Sequence, residues 1–324
     1  MSKVMMVALG VLVLLLIVFP FGVNPYTVQV AITTITYSML GLAFAFTMRV
    51  GLPRFDIPAW WGVGGYTTAL LMKDGMSFWL TALIGGIIAV ILGALVFSIA
   101  IPRGMIPFLM IGMVLTLAFY QMYGSVSLFG AWSGITNVPP PTIGSFEFVA
   151  KRDLYYMGLF FLALNLVVYY LLFNSKIGRA WNAIGSSLRL ARSVGVDVVK
   201  YRMANVLIGN FFLALAGSYF VGYYHAALPA VFSFQSALLV MVYLIIGGFT
   251  HSLAGPILGA LIATFIPQYL RVEAEYQTIF TAAIVILILM FLPLGVLGWV
   301  DQKVKPWLYR QRWYARLNKG KVLG

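Results

Sequence analysis

The chain has 324 residues, of which 62% are hydrophobic and 9% charged, and a mean hydropathy of +0.98. Its charges are lopsided: 21 Lys and Arg against 8 Asp and Glu give a formal net charge of +13. A soluble domain carries about 25% charged residues, so this composition sets aside a soluble globular protein. A disordered chain is set aside by the apolar and aromatic content, and a nucleic-acid binder by the lack of a wetted basic face. What remains is an all-α, polytopic transmembrane helical bundle.

In chain order, apolar stretches bounded by Gly, Pro or charge predict ten spans, at about 4–21, 27–48, 57–72, 77–101, 105–128, 154–174, 203–225, 234–250, 254–270 and 277–300. The first is read as an uncleaved span rather than a signal peptide, because no small-residue cleavage site precedes Asn24-Pro25. The third, eighth and ninth are short and rich in Gly or Pro, so short or broken helices are expected near 52–66 and 229–260. Residues 1–302 form one transmembrane domain, and 303–324 a basic cytoplasmic tail. In that tail Trp307, Tyr309, Trp313 and Tyr314 are interleaved with positive charge, a pattern suited to anionic lipid rather than nucleic acid.

The distribution of charge orients the layout. With both termini cytoplasmic, the inner segments hold Lys3, Arg49, Arg54, Arg103, six basic residues from Lys176 to Arg202 and seven after Asp301, a net of about +14 once Asp56, Asp197 and Asp301 are counted. The outside keeps Lys73, Lys151, Arg152 and Arg271 against five acids, about −1. No Asp, Glu, Lys or Arg falls inside a proposed span, which argues against a proton-driven carrier. His225 and His251 sit at span ends and read as interfacial polar groups. The small-residue stripes Gly85, Ala89, Gly93 and Gly255, Gly259, Ala263 read as helix-packing faces. The absence of Cys rules out disulfides, thiolate metal sites and thiol nucleophiles.

Two connections stand out. The outer loop, 129–153, carries Pro139, Pro140 and Pro141, and loops of that length tend to be functional. The inner segment 175–202 is basic, and Trp181, Ile184 and Leu188 fall on one face of a helix expected over 178–192, with a turn at Gly195. Such a loop can dock a partner or rest on anionic lipid.

Within this segment, Gly178-Arg-Ala-Trp-Asn-Ala-Ile resembles the GRA-x-x-AI cytoplasmic signature of LivM-type permeases, the membrane subunits of ATP-driven importers of branched-chain amino acids and related solutes. Other stretches agree in order: Asn24-Pro25-Tyr26, Gly62-x-Gly64-x-Tyr66, Gly130-x3-Gly134-x4-Pro139, Ala191 with Gly195-Val196, and Gly247-Gly248 followed by Gly255-Pro256-x2-Gly259-Ala260. The resemblance spans about residues 24–298. It departs at 52–66, where LPRFDIPAWWGVGGY stands for the family's QLSLGHAAFFGIGAY, and at Ser186-Ser187-Leu188, where the family has ENE.

The resemblance implies a permease subunit that is not an enzyme. This chain has no GxxxxGK[ST] P-loop and would bind no cofactor, so ATP and Mg would sit on two partner ATPase subunits. These would dock on Gly178, Arg179, Ala180, Trp181, Ile184, Arg189, Arg192 and Gly195. A second permease subunit, giving a heterodimer, and an extracytoplasmic solute-binding protein complete the expected assembly in the bacterial cytoplasmic (inner) membrane. Candidate substrate-path residues are Trp60, Trp61, Tyr66, Asn205, Asn210 and Gln235. Helix-to-helix hydrogen bonding is the competing role for the asparagines and glutamine, and interfacial anchoring for the tryptophans. The alternative function is a stand-alone facilitator or sodium-coupled carrier. An intramembrane enzyme lacks a candidate constellation.

Overall fold

The computed structural model of the chain describes residues 16, 18–248, 253–269, 283, 286, 290 and 295–299. Most of the expected first and tenth spans, His251, Arg271 and the C-terminal tail lie outside the described residues. What is described is almost entirely helical. Its long elements are α1 (Pro25–Met48), α2 (Ile57–Lys73), α3 (Phe78–Ala100, extended by a 3-10 turn at Ile101–Arg103), α4 (Met105–Ser125), α5 (Lys151–Asn174) and α8 (Val198–Tyr224). Between the last two lie α6 (Lys176–Ser186) and α7 (Leu188–Ser193); α9 (Phe234–Gly247), α10 (Ala254–Tyr269) and the short α11 (Gly295–Trp299) follow. Among the described residues five helices are long and apolar enough to cross a membrane, and the chain is a multi-pass membrane protein.

Burial sorts the helices into two layers. In α1 and α8, 83% and 78% of the spanning window is buried, against 39% or less in α3, α4 and α5. The inner pair carries the polar side chains. Thr33, Thr34, Thr36 and Ser38 of α1 each donate to a carbonyl one turn back, which satisfies a hydroxyl without a partner helix. The outer helices instead expose Leu80, Leu83, Ile87, Ile91 and Leu95 on α3 and Ile106, Met110 and Val114 on α4, an apolar rim suited to lipid or to another membrane subunit.

The inner layer packs at backbone distance. α2 lies along α8 with Gly64 against the Ala214 backbone and Gly217 against the Trp61 carbonyl, where a Cβ would overlap. The expected small-residue stripes do this work: Gly85 meets Gly64, and Gly255 and Gly259 meet the backbone of α9 at Gly248 and Tyr243. The short eighth and ninth spans form a pair, α9 and α10. At about 21 Å, α9 is too short to cross a hydrocarbon core of about 30 Å. α10 runs antiparallel to α1, with Pro256 level with Gly41 and the Thr34 and Thr264 hydroxyls 2.5 Å apart.

The 49–56 segment carries the irregularity expected near 52–66, but its charges do not stay in an inner loop. After α1 the chain turns back into the bundle. The Phe55 carbonyl accepts from Thr116 at 2.7 Å, and Asp56 lies against Gly112. Those α4 residues stand about 10–16 Å in from its cytoplasmic start. The irregular segment thus makes the first part of the third crossing, and this is why α2 needs only 17 residues. Non-helical backbone at this depth is tolerated where protein buries and satisfies it.

Candidate permeation and coupling sites

The re-entering segment carries a charge pair into the interior. Arg54 and Asp56 are both 0% exposed, so the expectation that they are solvated inner-loop charges is corrected. Because the pair is neutral, the net charge asymmetry across the membrane survives. The contact is bidentate: Arg54 Nε donates to Asp56 Oδ1 at 2.9 Å and Nη2 to Oδ2 at 2.6 Å. Trp60 Nε1 donates to the same Oδ2, and Arg54 Nη2 also donates to Asn210 Oδ1. A Cβ on Gly93 would overlap Asn210, and one on Gly209 would stand 2.9 Å from Arg54, so α3 and α8 make room for the cluster by carrying glycine. Arg54 Nη1, Asn210 Nδ2, Asn205 Oδ1 and both side-chain polar atoms of Asn165 are buried without a hydrogen-bond partner among the described residues.

The substrate-path candidates therefore separate. Trp60 and Asn210 join one cluster through Asp56 and Arg54. Asn205 Nδ2 donates to the Phe46 carbonyl, a helix-to-helix bond. Tyr66 stacks on Tyr123 with centroids 4.1 Å apart. Gln235 is exposed on the first turn of α9 and touches none of these. Trp61 faces the other way, into a cavity of about 150 Å³ in the outer half of the bundle, together with Thr33, Thr36, Tyr37, Phe220 and Tyr223. Tyr224 lines the same cavity. Sequence reading missed Arg54 and Asp56. The available signal was an Arg-x-Asp with Trp four residues on, framed by Pro53 and Pro58.

At the cytoplasmic end the expected single helix over 178–192 is two. Ser187 breaks it and caps the second by accepting from the Leu190 amide, as Ser175 caps the first by accepting from Gly178. The first part of the expected amphipathic face turns inward, while Leu188, past the break, is exposed. Trp181 is buried, donates Nε1 to the Tyr201 carbonyl at 2.8 Å and meets the Phe46 ring edge-on. Gly178 and Ile184 are buried beside it. The Arg49 guanidinium lies over the Phe173 ring at 3.7 Å and reaches Asn182; burial lowers its pKa from the usual value. These contacts fix α6 across the ends of α1, α5 and α8. Ala180 is half-buried, while Arg179, Arg189, Arg192 and Gly195 are exposed. Arg189 and Arg192 border a cleft of about 450 Å³, walled opposite by Pro102, Gly104 and Met105.

At the outer end, the loop after α4 has structure of its own. It forms two 3-10 turns and a small hairpin, Thr142–Ile143 with Phe146–Glu147. Ile135 and Ala227 exchange backbone hydrogen bonds, and Val138 bonds His225 through both backbone and ring, so this loop is tied to the exit of α8. His225 is in the left-handed region at φ 53. Lys73, Lys151 and Arg152 are exposed at this end.

A multi-layer bundle of apolar helices with a polar centre, an outer cavity and a basic cytoplasmic face has the architecture of a solute permease. The family model for the branched-chain amino acid transport system / permease component matches residues 26–290, and the chain belongs to that family. It is 27% identical to the high-affinity branched-chain amino acid transport system permease protein LivM of Escherichia coli K12, across 94% of this chain and 77% of that protein. The LivM of Salmonella typhimurium is 25% identical across 91% and 75%. The LivH permease of Salmonella typhimurium is 27% identical across 42% of this chain and 43% of its own. No solved structure matches.

Proposed function

We propose that the chain is the permease subunit of an ATP-driven importer of branched-chain amino acids, working in the bacterial cytoplasmic membrane beside a second, LivH-like permease. Family membership across residues 26–290 carries the reading. Two ATPase subunits, holding ATP and Mg, dock on the cytoplasmic face made by α6 and α7, and a solute-binding protein delivers cargo to the outer loop. The supporting geometry is the division of labour in α6: Gly178, Trp181 and Ile184 hold it to the body while Arg179, Arg189 and Arg192 stay free for a partner. ATP hydrolysis then biases the bundle between outward and inward states.

The test is reconstitution of both permeases with their ATPases and binding protein in liposomes. ATP-dependent leucine uptake is expected, and charge reversal at Arg189 and Arg192 lowers it about tenfold or more. Equal uptake by the lone subunit without ATP overturns the proposal in favour of a facilitator.

A further inference from the structure

We infer that the cytoplasmic cleft between α6–α7 and the start of α4 is a binding site for an anionic phospholipid, its phosphate held by Arg192 and Arg202. Three arginines, Arg189, Arg192 and Arg202, line the cleft, and among the described residues no Asp or Glu does. Like charges thus share a cleft of about 450 Å³ without a counter-ion, an arrangement that an entering anion relieves. Arg202 is the anchor. It is only 5% exposed, and its Nε donates to the Val50 carbonyl at 3.0 Å, which fixes the guanidinium at the cleft wall. Its two terminal nitrogens have no hydrogen-bond partner among the described residues. A guanidinium fork held in this way matches the paired oxygens of a phosphate. The opposite wall adds the start of α4 at Gly104 and Met105. That helix has no side-chain cap and no acid in its first turn, so the partial positive charge of its N-terminus is uncompensated.

A soluble anion would use only this polar half, whereas a lipid uses the apolar half as well. Met105 lines the cleft and is 46% exposed. Beyond it the exposed residues Ile106, Met110, Val114 and Leu117 follow at intervals of three or four along one face of α4. They span about 16 Å, a track long enough for much of an acyl chain. Ile101 and Pro102 add apolar wall within the cleft itself. Anionic headgroups concentrate at the inner membrane surface, and basic pockets between helices on that side receive them. A zwitterionic headgroup would bring an ammonium into the same group of guanidiniums and is disfavoured. The phosphate also bridges α7 to α8, so it steadies the segment on which ATPase docking is proposed.

The full-length protein, purified and delipidated in detergent, is titrated with phosphatidylglycerol and followed by native mass spectrometry and unfolding temperature. One tightly held phosphatidylglycerol and a raised unfolding temperature are expected. Phosphatidylcholine with the same chains, and glycerol 3-phosphate, which lacks them, are expected to give neither. Arg202→Gln weakens phosphatidylglycerol binding about fivefold or more. Arg192→Gln, on the exposed α7, does the same, so the test does not depend on the buried variant folding. Lys73→Gln, which removes one positive charge at the outer end, leaves binding unchanged. Equal binding of phosphatidylcholine makes the lipid a generic one, and equal binding of glycerol 3-phosphate makes the ligand a soluble phosphate. Unchanged affinity in Arg192→Gln places the lipid elsewhere. Each of these overturns the site. So does loss of the bound lipid when the partner ATPase is added, because the cleft then belongs to acidic groups of that subunit.

Discussion

The two halves of α2 solve the same problem in opposite ways. Its cytoplasmic end starts beside a buried ion pair, where Asp56 accepts three charge-assisted hydrogen bonds, although Arg54 Nη1 finds no partner among the described residues. One residue past Trp60, the Trp61 side chain borders a cavity that no described charged residue lines, and its buried N–H has no partner among the described residues. The lower region is packed shut: glycines on α3 and α8 admit Arg54 and Asn210 with nothing to spare. The upper region has an unfilled volume. A transporter needs both kinds of place, one that resists passage and one that receives a solute. Trp60 and Trp61 are the layer between them, and their different partners make the contrast open to measurement.

The largest expected effect follows from splitting the ion pair. Arg54→Ala or Asp56→Ala strands the other charge away from water, at a cost of about 3–5 kcal/mol. The double replacement Arg54→Met with Asp56→Leu removes both charges and is expected to recover much of that loss. Thermal unfolding of the detergent-purified protein checks the order. Single variants as stable as the native chain would mean that water or lipid headgroups reach the pair, and the lower region would no longer be the closed one.

Most of the fold was legible in the sequence, because membrane spans are written in long apolar runs and charge asymmetry. The runs at 27–48, 77–101, 105–128 and 154–174 appear as helices within a few residues, and the short Gly- and Pro-rich eighth and ninth spans appear as α9 and α10. The site was legible only in part. The rule that charge marks an aqueous loop failed at Arg54 and Asp56 because the two neutralise each other at a spacing of two residues, a tertiary outcome that hydropathy cannot register. The amphipathic face of 178–192 was visible, but not the direction it faces. Trp181 turned inward because its N–H found the Tyr201 carbonyl, twenty residues on.

The next effect tests the hinge between the regions. Trp60→Phe keeps an aromatic ring near Phe97 and Phe119 but removes the N–H that Asp56 accepts. A hydrogen bond to a charged group contributes about 1.5–3 kcal/mol, so a clear fall in unfolding temperature is expected. At the coupling face, Trp181→Phe loses a neutral bond to a backbone carbonyl, about 0.5–1.5 kcal/mol. Its larger expected signature is loss of ATPase stimulation in the assembled complex, because α6 would no longer be held across the helix ends. Stimulation at the native level would show that Arg49 and the Ser175 cap suffice to hold it.

The smallest stability effect is expected at Trp61, and its smallness is the informative part. Trp61→Phe is chemically the same substitution as Trp60→Phe, one residue away on the same helix and equally buried. Among the described residues, however, Trp61 Nε1 has no partner, so its removal forfeits no interaction and sheds the cost of an unpaired buried donor. Stability is then expected to change by less than about 0.5 kcal/mol, or to rise slightly. Measuring both variants for unfolding temperature therefore separates the two tryptophans: Trp60→Phe should lower it and Trp61→Phe should not. If Trp61→Phe destabilises as much as Trp60→Phe, the Trp61 N–H has a partner in the folded protein, and the division between a closed lower region and a receptive upper one does not hold.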